Sequence, residues 1–250
     1  MNGGLAMGRD GLEKAVDLIK NSKNVVVLTG AGVSTESGIP DFRSPGMGFW
    51  EKIDPMQALS TSVLLNNPER FYQVGFKILT SMQKAETNVS HRVLAALEAQ
   101  GHISTIITQN IDGLHQKAGS KKVLEVHGHI RNGYCMQCGE VMTLENMIIK
   151  VELKEIPPKC SSCNGDVRPS VVLFGDQLPQ IFDVAWNEAE KSDLLIVIGS
   201  SLEVGPVNYL AQICEKLMII NMSPTAYDHR AILTLNGKAS EILWGIYELL

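Results

Sequence analysis

The chain has 250 residues, 44% of them hydrophobic, and a formal net charge of −5. That length and apolar content allow one large core and a smaller second module. The acidic balance argues against a direct nucleic-acid or anionic-membrane binder, and no apolar run approaches the ~20 residues that cross a bilayer.

In chain order, the first nine or so residues read as a frayed leader. Arg9, Asp10, Glu13, Lys14 and Asp17 among Leu12, Ala15, Val16 and Ile19 then predict an amphipathic surface helix over 11–21. That is not a secretory segment, so a cytoplasmic protein is expected. A buried strand over 24–28 leads into Gly30-Ala31-Gly32, where missing side chains let main-chain N–H groups approach a phosphate. A dehydrogenase fingerprint wants another glycine at position 35, which is Thr35, and no Gly-Lys-Ser/Thr of a P-loop follows. Instead Ser34, Thr35, Ser37, Asp41 and Arg43 surround a Gly38-Ile39-Pro40 break, a polar loop over a phosphate turn.

Further along, helices are expected at 68–84, 88–100, 179–191, 206–215 and 239–249, and strands at 103–107, 123–126, 171–174, 193–198 and 217–220. Continuous apolar strands separated by helices predict an α/β fold, a doubly wound parallel (Rossmann-like) sheet covered on both faces. Polar clusters recur at the strands' carboxyl ends: 30–43, 108–115, 127–128, 175–176, 199–201 and 221–223. Ligands of such sheets sit at that edge, so the clusters read as one extended site.

Cys135-Met-Gln-Cys138 and Cys160-Ser-Ser-Cys163 are separated by 21 residues, and each pair runs into a turn, Cys138-Gly139 and Cys163-Asn164-Gly165. Four thiolates so arranged suit one closed, tetrahedral, structural zinc. Disulfides or an iron–sulfur cluster are the alternatives, the former disfavoured by the absence of an export signal. Cys214, near Ile213 and Leu217, reads as a core residue of an apolar helix. Residues 44–87 form a helical excursion rich in Met, Pro and aromatics, and 131–167 carry the cysteines and Pro157-Pro158. The expected division is a nucleotide-binding domain of 10–43, 88–130 and 168–250, with 44–87 and 131–167 forming a small inserted domain over the sheet edge.

Gly30 through Arg43, Thr108-Gln-Asn-Ile-Asp-Gly-Leu-His115, His127-Gly128, the paired Cys-x-x-Cys, Val172-Leu-Phe-Gly175 and Gly199-Ser-Ser-Leu-Glu-Val204 together resemble the signature series of the sirtuins, over about residues 12–249 and of the compact bacterial or archaeal type. The resemblance implies an NAD-dependent protein lysine deacetylase. Such an enzyme uses NAD as co-substrate, releases nicotinamide and moves the acetyl group of acetyl-lysine to 2′-O-acetyl-ADP-ribose. It implies a nicotinamide pocket with Asn110 and Asp112 meeting the carboxamide and Ile111 and Ile39 as walls. Phe42 would cover the ribose carbon after nicotinamide leaves. Arg43, Asp41 and Gly30-Ala31-Gly32, with Ser34 and Thr35, would surround the pyrophosphate side. Gln109 would touch the nearer ribose. Gly199, Ser200, Ser201 and Asn221 would contact phosphate and adenosine ribose, with Lys238 and Ala239 near adenine.

His127 is the expected base, because an imidazole of pKa near ~6.5 can take a ribose hydroxyl proton near neutrality. His115 and His129 are its competitors; His91, His102 and His229 read as structural or exposed. An acetyl-lysine protein or peptide would bind as an extended strand between 171–176 and 199–206, contacting Val172, Phe174, Gly175 and Val204. Val171 and Leu173 read as core.

Two departures from the family pattern carry expectations. Sirtuins preferring acidic acyl groups have Tyr-x-x-Arg where this chain has Tyr72-Gln-Val-Gly75, so neutral acyl groups are expected, acetyl first. Asp176 stands where Glu is usual, which puts peptide affinity in question. A mono-ADP-ribosyltransferase and a non-enzymatic NAD or ADP-ribose sensor are the rival readings. A Rossmann oxidoreductase is disfavoured by the glycine spacing and the lack of an acidic ribose ligand after a second strand.

Overall fold

A computed structural model describes residues 8–40 and 54–250 of the chain. Six strands are parallel: β1 (Val25–Thr29), β2 (Thr105–Thr108), β3 (Val123–Glu125) and, after an excursion, three more. The excursion holds β4 (Gly128–Cys135), β5 (Val141–Thr143) and β6 (Val167–Val171), paired antiparallel in the order β5-β4-β6. The parallel set resumes with β7 (Leu194–Ile198), β8 (Leu217–Asn221) and β9 (Leu233–Asn236).

The large sheet runs β3-β2-β1-β7-β8-β9. The chain therefore reverses direction across the sheet between β1 and β7, and the crevice beyond their carboxyl ends is where a doubly wound sheet holds its ligand. Alternate side chains of β1 explain its unbroken apolar run. Val25 and Val27 face helices Arg9–Lys20, Val89–Ala99 and Ala239–Leu249, while Val26 and Leu28 face Ile181–Glu190 and Leu210–Ile213. Both faces are covered, so a polar side chain at either register position must be hydrogen-bonded within the protein, as Thr29 is to Thr108.

A third core joins the helical segment 55–84 to the cysteine module. Phe71, Tyr72 and Phe76 pack with Ile130, Met142, Met147 and Val167, and with Cys135 and Cys160. Phe71–Tyr72 and Tyr72–Phe76 meet edge to face, with centroids 5.1 and 5.4 Å apart.

Three expected elements differ. The helix over 68–84 starts at Pro68–Arg70, widens into a π-turn over Phe71–Gly75, and resumes over Phe76–Ser81. A Cβ on Gly75 would lie 2.2 Å from the Ala58 carbonyl oxygen, so this turn presses bare backbone against the preceding segment. The strand expected over 171–174 is not part of the parallel sheet. Val171 ends β6, and Phe174 instead makes a single parallel bridge to Ser60. Over 206–215 there is only a short 3-10 turn and the helical turn Leu210–Ile213. Cys214 lies beyond it in extended backbone, buried as expected, with Arg230 Nη1 donating to its sulfur at 3.3 Å.

Candidate active site

The site is built from the glycine turn upward. Gly30 N–H donates to Ile198 O at 3.0 Å and Gly32 N–H to Gly199 O at 2.9 Å, so the turn lies directly on the end of β7. A Cβ on Gly30 or Gly32 would come within 2.7 or 2.8 Å of Gly199 backbone atoms. Val33 N–H returns to Gly30 O. The expected row of N–H groups for a phosphate is thus narrowed: among the described residues only Ala31 N–H in this turn keeps no backbone partner. The glycines serve close approach of two strand ends, a role the spacing alone does not distinguish from phosphate cradling.

Behind the turn, buried Ser34 joins three elements. Its hydroxyl donates to Asp112 Oδ2 at 2.7 Å and accepts from Asn110 Nδ2 at 3.1 Å. His91 Nε2 lies 3.3 Å away, and because His91 Nδ1 accepts from Asn88 N–H at 3.3 Å, the proton belongs on Nε2 and Ser34 accepts it. Asn110 Nδ2 also donates to Gly30 O at 3.1 Å. Both amide hydrogens of Asn110 are therefore spent on the scaffold, leaving its Oδ1 as an acceptor. Asp112 Oδ1 accepts from Leu114 N–H at 2.9 Å. Burial raises the Asp112 pKa, opposed by these hydrogen bonds.

Gln109 crosses the crevice, donating from Nε2 to Ser200 Oγ at 2.9 Å. Its carbonyl lies 3.0 Å from His127 Nδ1, which must carry a proton to make that bond. Nε2 of His127 is then the basic nitrogen. Burial lowers the His127 pKa, and the bond to Gln109 O partly offsets this. Val172 N–H donates to His127 O at 2.9 Å, stitching the expected substrate segment to this histidine. Phe174 and Val204 are exposed, Val172 is half-buried, and Val171 and Leu173 are buried as expected.

The competing histidines sit elsewhere. His115 is buried, with Nε2 3.0 Å from Thr29 Oγ1 and Nδ1 without a partner, and burial followed by the neighbouring His91 lowers its pKa to about 3. Burial, with Arg92 adding to it, lowers His91 to about 4, and its ring meets His115 edge to face at 5.0 Å. His129 Nδ1 is buried and unpaired. Asn221, Lys238 and Ala239 lie together where β8 and β9 end, Gly237 N–H donating to Asn221 O at 3.2 Å. Asp41, Phe42 and Arg43 lie outside the described residues.

The four cysteine sulfurs all lie within 4.8 Å of one another, with Cys135–Cys163 at 3.5 Å and Cys138–Cys160 at 3.6 Å. A tetrahedral zinc with bonds of ~2.3 Å requires sulfurs about 3.8 Å apart, so the set fits one closed ion. Gly139 and Asn164 adopt the left-handed backbone of the two knuckle turns. Cys135 ends β4, which starts beside His127, so the length of that strand lies between the cysteine cluster and the histidine.

Thr29, Thr108, Asn88 and His91 were missed as site-building residues. Asn88 has a local signal, because it caps helix Val89–Ala99 in a capping box with His91, while its Nδ2 holds Val33 O at 2.8 Å.

A parallel six-stranded sheet with a ligand crevice at its reversal point and a four-cysteine side module defines a nucleotide-binding α/β protein. The Sir2 family profile matches residues 30–206, and the chain belongs to the Sir2 family. It is 57% identical over 238 residues to an NAD-dependent protein deacetylase of Caldanaerobacter subterraneus subsp. tengcongensis, covering 95% of each chain. A Sir2 complex with a deacetylated p53 peptide and 3′-O-acetyl ADP ribose matches with TM-score 0.90 and 39% identity, over 95% of this chain and 98% of that one. A Sir2 complex with a p53 peptide and NAD+ matches with TM-score 0.87 and 39% identity over the same shares.

Proposed function

We propose that this protein is an NAD-dependent protein lysine deacetylase that binds acetyl-lysine peptides as an extended strand, with His127 as its base. The observation that carries the assignment of the base is the fixed tautomer of His127: Nδ1 is held by Gln109 O, and Nε2 is left to accept a proton beside Val172. Bound NAD supplies an activated ribose carbon for the acyl oxygen and loses nicotinamide. Asn110 Oδ1 and the Asp112 carboxylate orient the leaving carboxamide as acceptors, with Ile111 and Ile39 excluding water. Ala31 N–H, Gly32, Thr35, Gly199, Ser200 and Ser201 line the phosphate side, and Asn221, Lys238 and Ala239 the adenosine end. Asp41, Phe42 and Arg43 are assigned to the cofactor on the sequence resemblance alone.

Residues 10–43, 88–130 and 168–250 are read as the NAD-binding domain, and 44–87 with 131–167 as the small domain. The peptide's acyl-lysine passes Val172, Phe174, Gly175 and Val204. Phe174 spends both backbone groups on Leu59 O and Thr61 N, which leaves the Val172 carbonyl and Gly175 to pair with a peptide backbone. Neutral acyl groups are preferred: the Tyr72 hydroxyl is already committed to Val167 O, and Gly75 has no room for a cationic side chain. Among the described residues no helix is long and apolar enough to cross a membrane, and a thiolate zinc site suits the reducing cytoplasm.

The test is to incubate the protein with NAD and an acetyl-lysine peptide and identify every product by mass spectrometry, with His127→Ala in parallel. Free lysine peptide, nicotinamide and O-acetyl-ADP-ribose are expected, all lost in the variant. ADP-ribosylated protein in their place would make the enzyme a transferase. NAD binding without consumption would make it a sensor.

A further inference from the structure

The five residues Val172–Asp176 leave β6 and turn at Gly175, whose φ is 92°. Their shape is held from inside by one carboxylate. Asp176 accepts from Arg168 Nη2 at 2.5 Å and Nη1 at 3.2 Å, from Thr61 Oγ1 at 2.7 Å and from Leu173 N–H at 2.8 Å. Arg168 Nη2 also donates to Val171 O at 3.2 Å. One guanidinium therefore grips both ends of the segment, Val171 at its start and Asp176 at its finish. Burial would raise the Asp176 pKa, but the hydrogen bonds from Arg168, Thr61 and Leu173 outweigh it and hold the carboxyl below its ordinary range.

The same group ties three parts of the molecule together. Arg168 lies on β6 opposite Tyr134 of β4, one residue after Val167, which pairs with the zinc-module residue Cys135. Thr61 belongs to the helical excursion, and its N–H holds Phe174 O at 3.0 Å. A buried ion pair is costly to desolvate and adds little net stability over an apolar pair of the same size. What it supplies is a fixed geometry: Leu173 turned inward, Phe174 and Gly175 outward, and Val172 kept against His127.

We propose that Arg168, Asp176 and Thr61 are positioning residues for the acyl-lysine peptide, a clamp that sets the height of Val172–Gly175 relative to His127. The inference rests on the deacetylase reading above. It also gives the zinc module a route to substrate binding, through β6 and Arg168, that involves no contact between metal and peptide.

Four variants test it: Thr61→Val, Asp176→Asn, Asp176→Glu and the double variant Arg168→Met/Asp176→Leu. The double variant replaces the ion pair with apolar side chains and so avoids leaving a lone buried charge that would unfold the protein. It still leaves Leu173 N–H and Val171 O without their partners. The expected result is a peptide KM raised about 3- to 10-fold in Thr61→Val, the loss of one hydrogen bond, and by more in Asp176→Asn and the double variant. The KM for NAD and the zinc content of the double variant stay near those of the unaltered protein, and Asp176→Glu recovers part of the peptide affinity lost in Asp176→Asn. Peptide KM unchanged in Thr61→Val and in the double variant would overturn the clamp. So would equal rises in both KM values with falling melting temperature, which would mean a purely structural role. Failure of the unaltered protein to deacetylate the peptide would instead overturn the functional reading, and the clamp with it.

Discussion

Ser34→Ala should expose how much of the site depends on one hydroxyl. Ser34 is 1% exposed and makes three bonds: a charge-assisted donation to Asp112 at 2.7 Å, an acceptance from Asn110 at 3.1 Å and a longer one from His91 at 3.3 Å. The bond to the carboxylate is worth about 1.5–3 kcal/mol and each neutral bond about 0.5–1.5 kcal/mol, the long His91 contact at the lower end. The variant should lose about 3 kcal/mol, which for a chain of this length is a fall of about 6–12 °C in melting temperature. The defect has a pH signature. Asp112 already has a raised pKa from burial, so it opposes folding when ionised, and that penalty is absent below its unfolded pKa and complete once pH exceeds its folded value. Removing the Ser34 donor penalises the ionised form further. The stability difference between the two proteins, measured by urea unfolding, should therefore be largest near neutral pH and shrink in acid as Asp112 protonates. A difference under about 0.5 kcal/mol at neutral pH, the size of an ordinary surface change, would refute the network.

His127 should titrate below its ordinary 6.5, because burial outweighs the Gln109 bond; single-turnover deacetylation should fall with acid only below that value, and a limb centred above pH 7 would count against it. Gly75→Arg should destabilise the protein by about 1–3 kcal/mol or more through the 2.2 Å approach to Ala58 O, without conferring succinyl-lysine turnover; a variant faster on succinyl- than acetyl-peptide would sink this account of acyl preference. Cys135→Ala, or stripping zinc with a chelator, should open the core that Cys135 and Cys160 share with Tyr72 and Met147, seen as dye binding and lost activity. A normal melt and full activity without metal would disprove that structural role.

Much of the parallel sheet is legible because four of its strands, β1, β2, β7 and β8, are largely apolar runs buried on both faces, and burial on both faces removes the polar alternation that makes other strands ambiguous. β9, Leu-Thr-Leu-Asn at the sheet edge, and β4 and β5 of the cysteine module carry no such run, and no local pattern marks them as strands. Apolar content places Val171–Phe174 among the strands of the main sheet, yet its pairing partners are Gly128, His127, Leu59 and Thr61, which no local pattern names.

What the sequence determined by itself is what depends on residue type and short spacing. The two Cys-x-x-Cys pairs specify a four-thiolate site, because the knuckle geometry is local. The glycines of 30–32 mark a place where backbone must come close, and His127 stands at a strand end, where an imidazole can serve the proposed role of base. Only the tertiary structure decided what the glycines come close to, namely Gly199, and that the Gly30 and Gly32 N–H groups are consumed by Ile198 O and Gly199 O. It alone decided that Asn110 gives both amide hydrogens to the scaffold, that Gln109 O selects the His127 tautomer, and that Arg168 and Thr61 meet at Asp176. Each of these pairs residues from different elements, and hydrogen-bond direction between distant groups is settled by how the elements pack, which no run of neighbouring residues encodes.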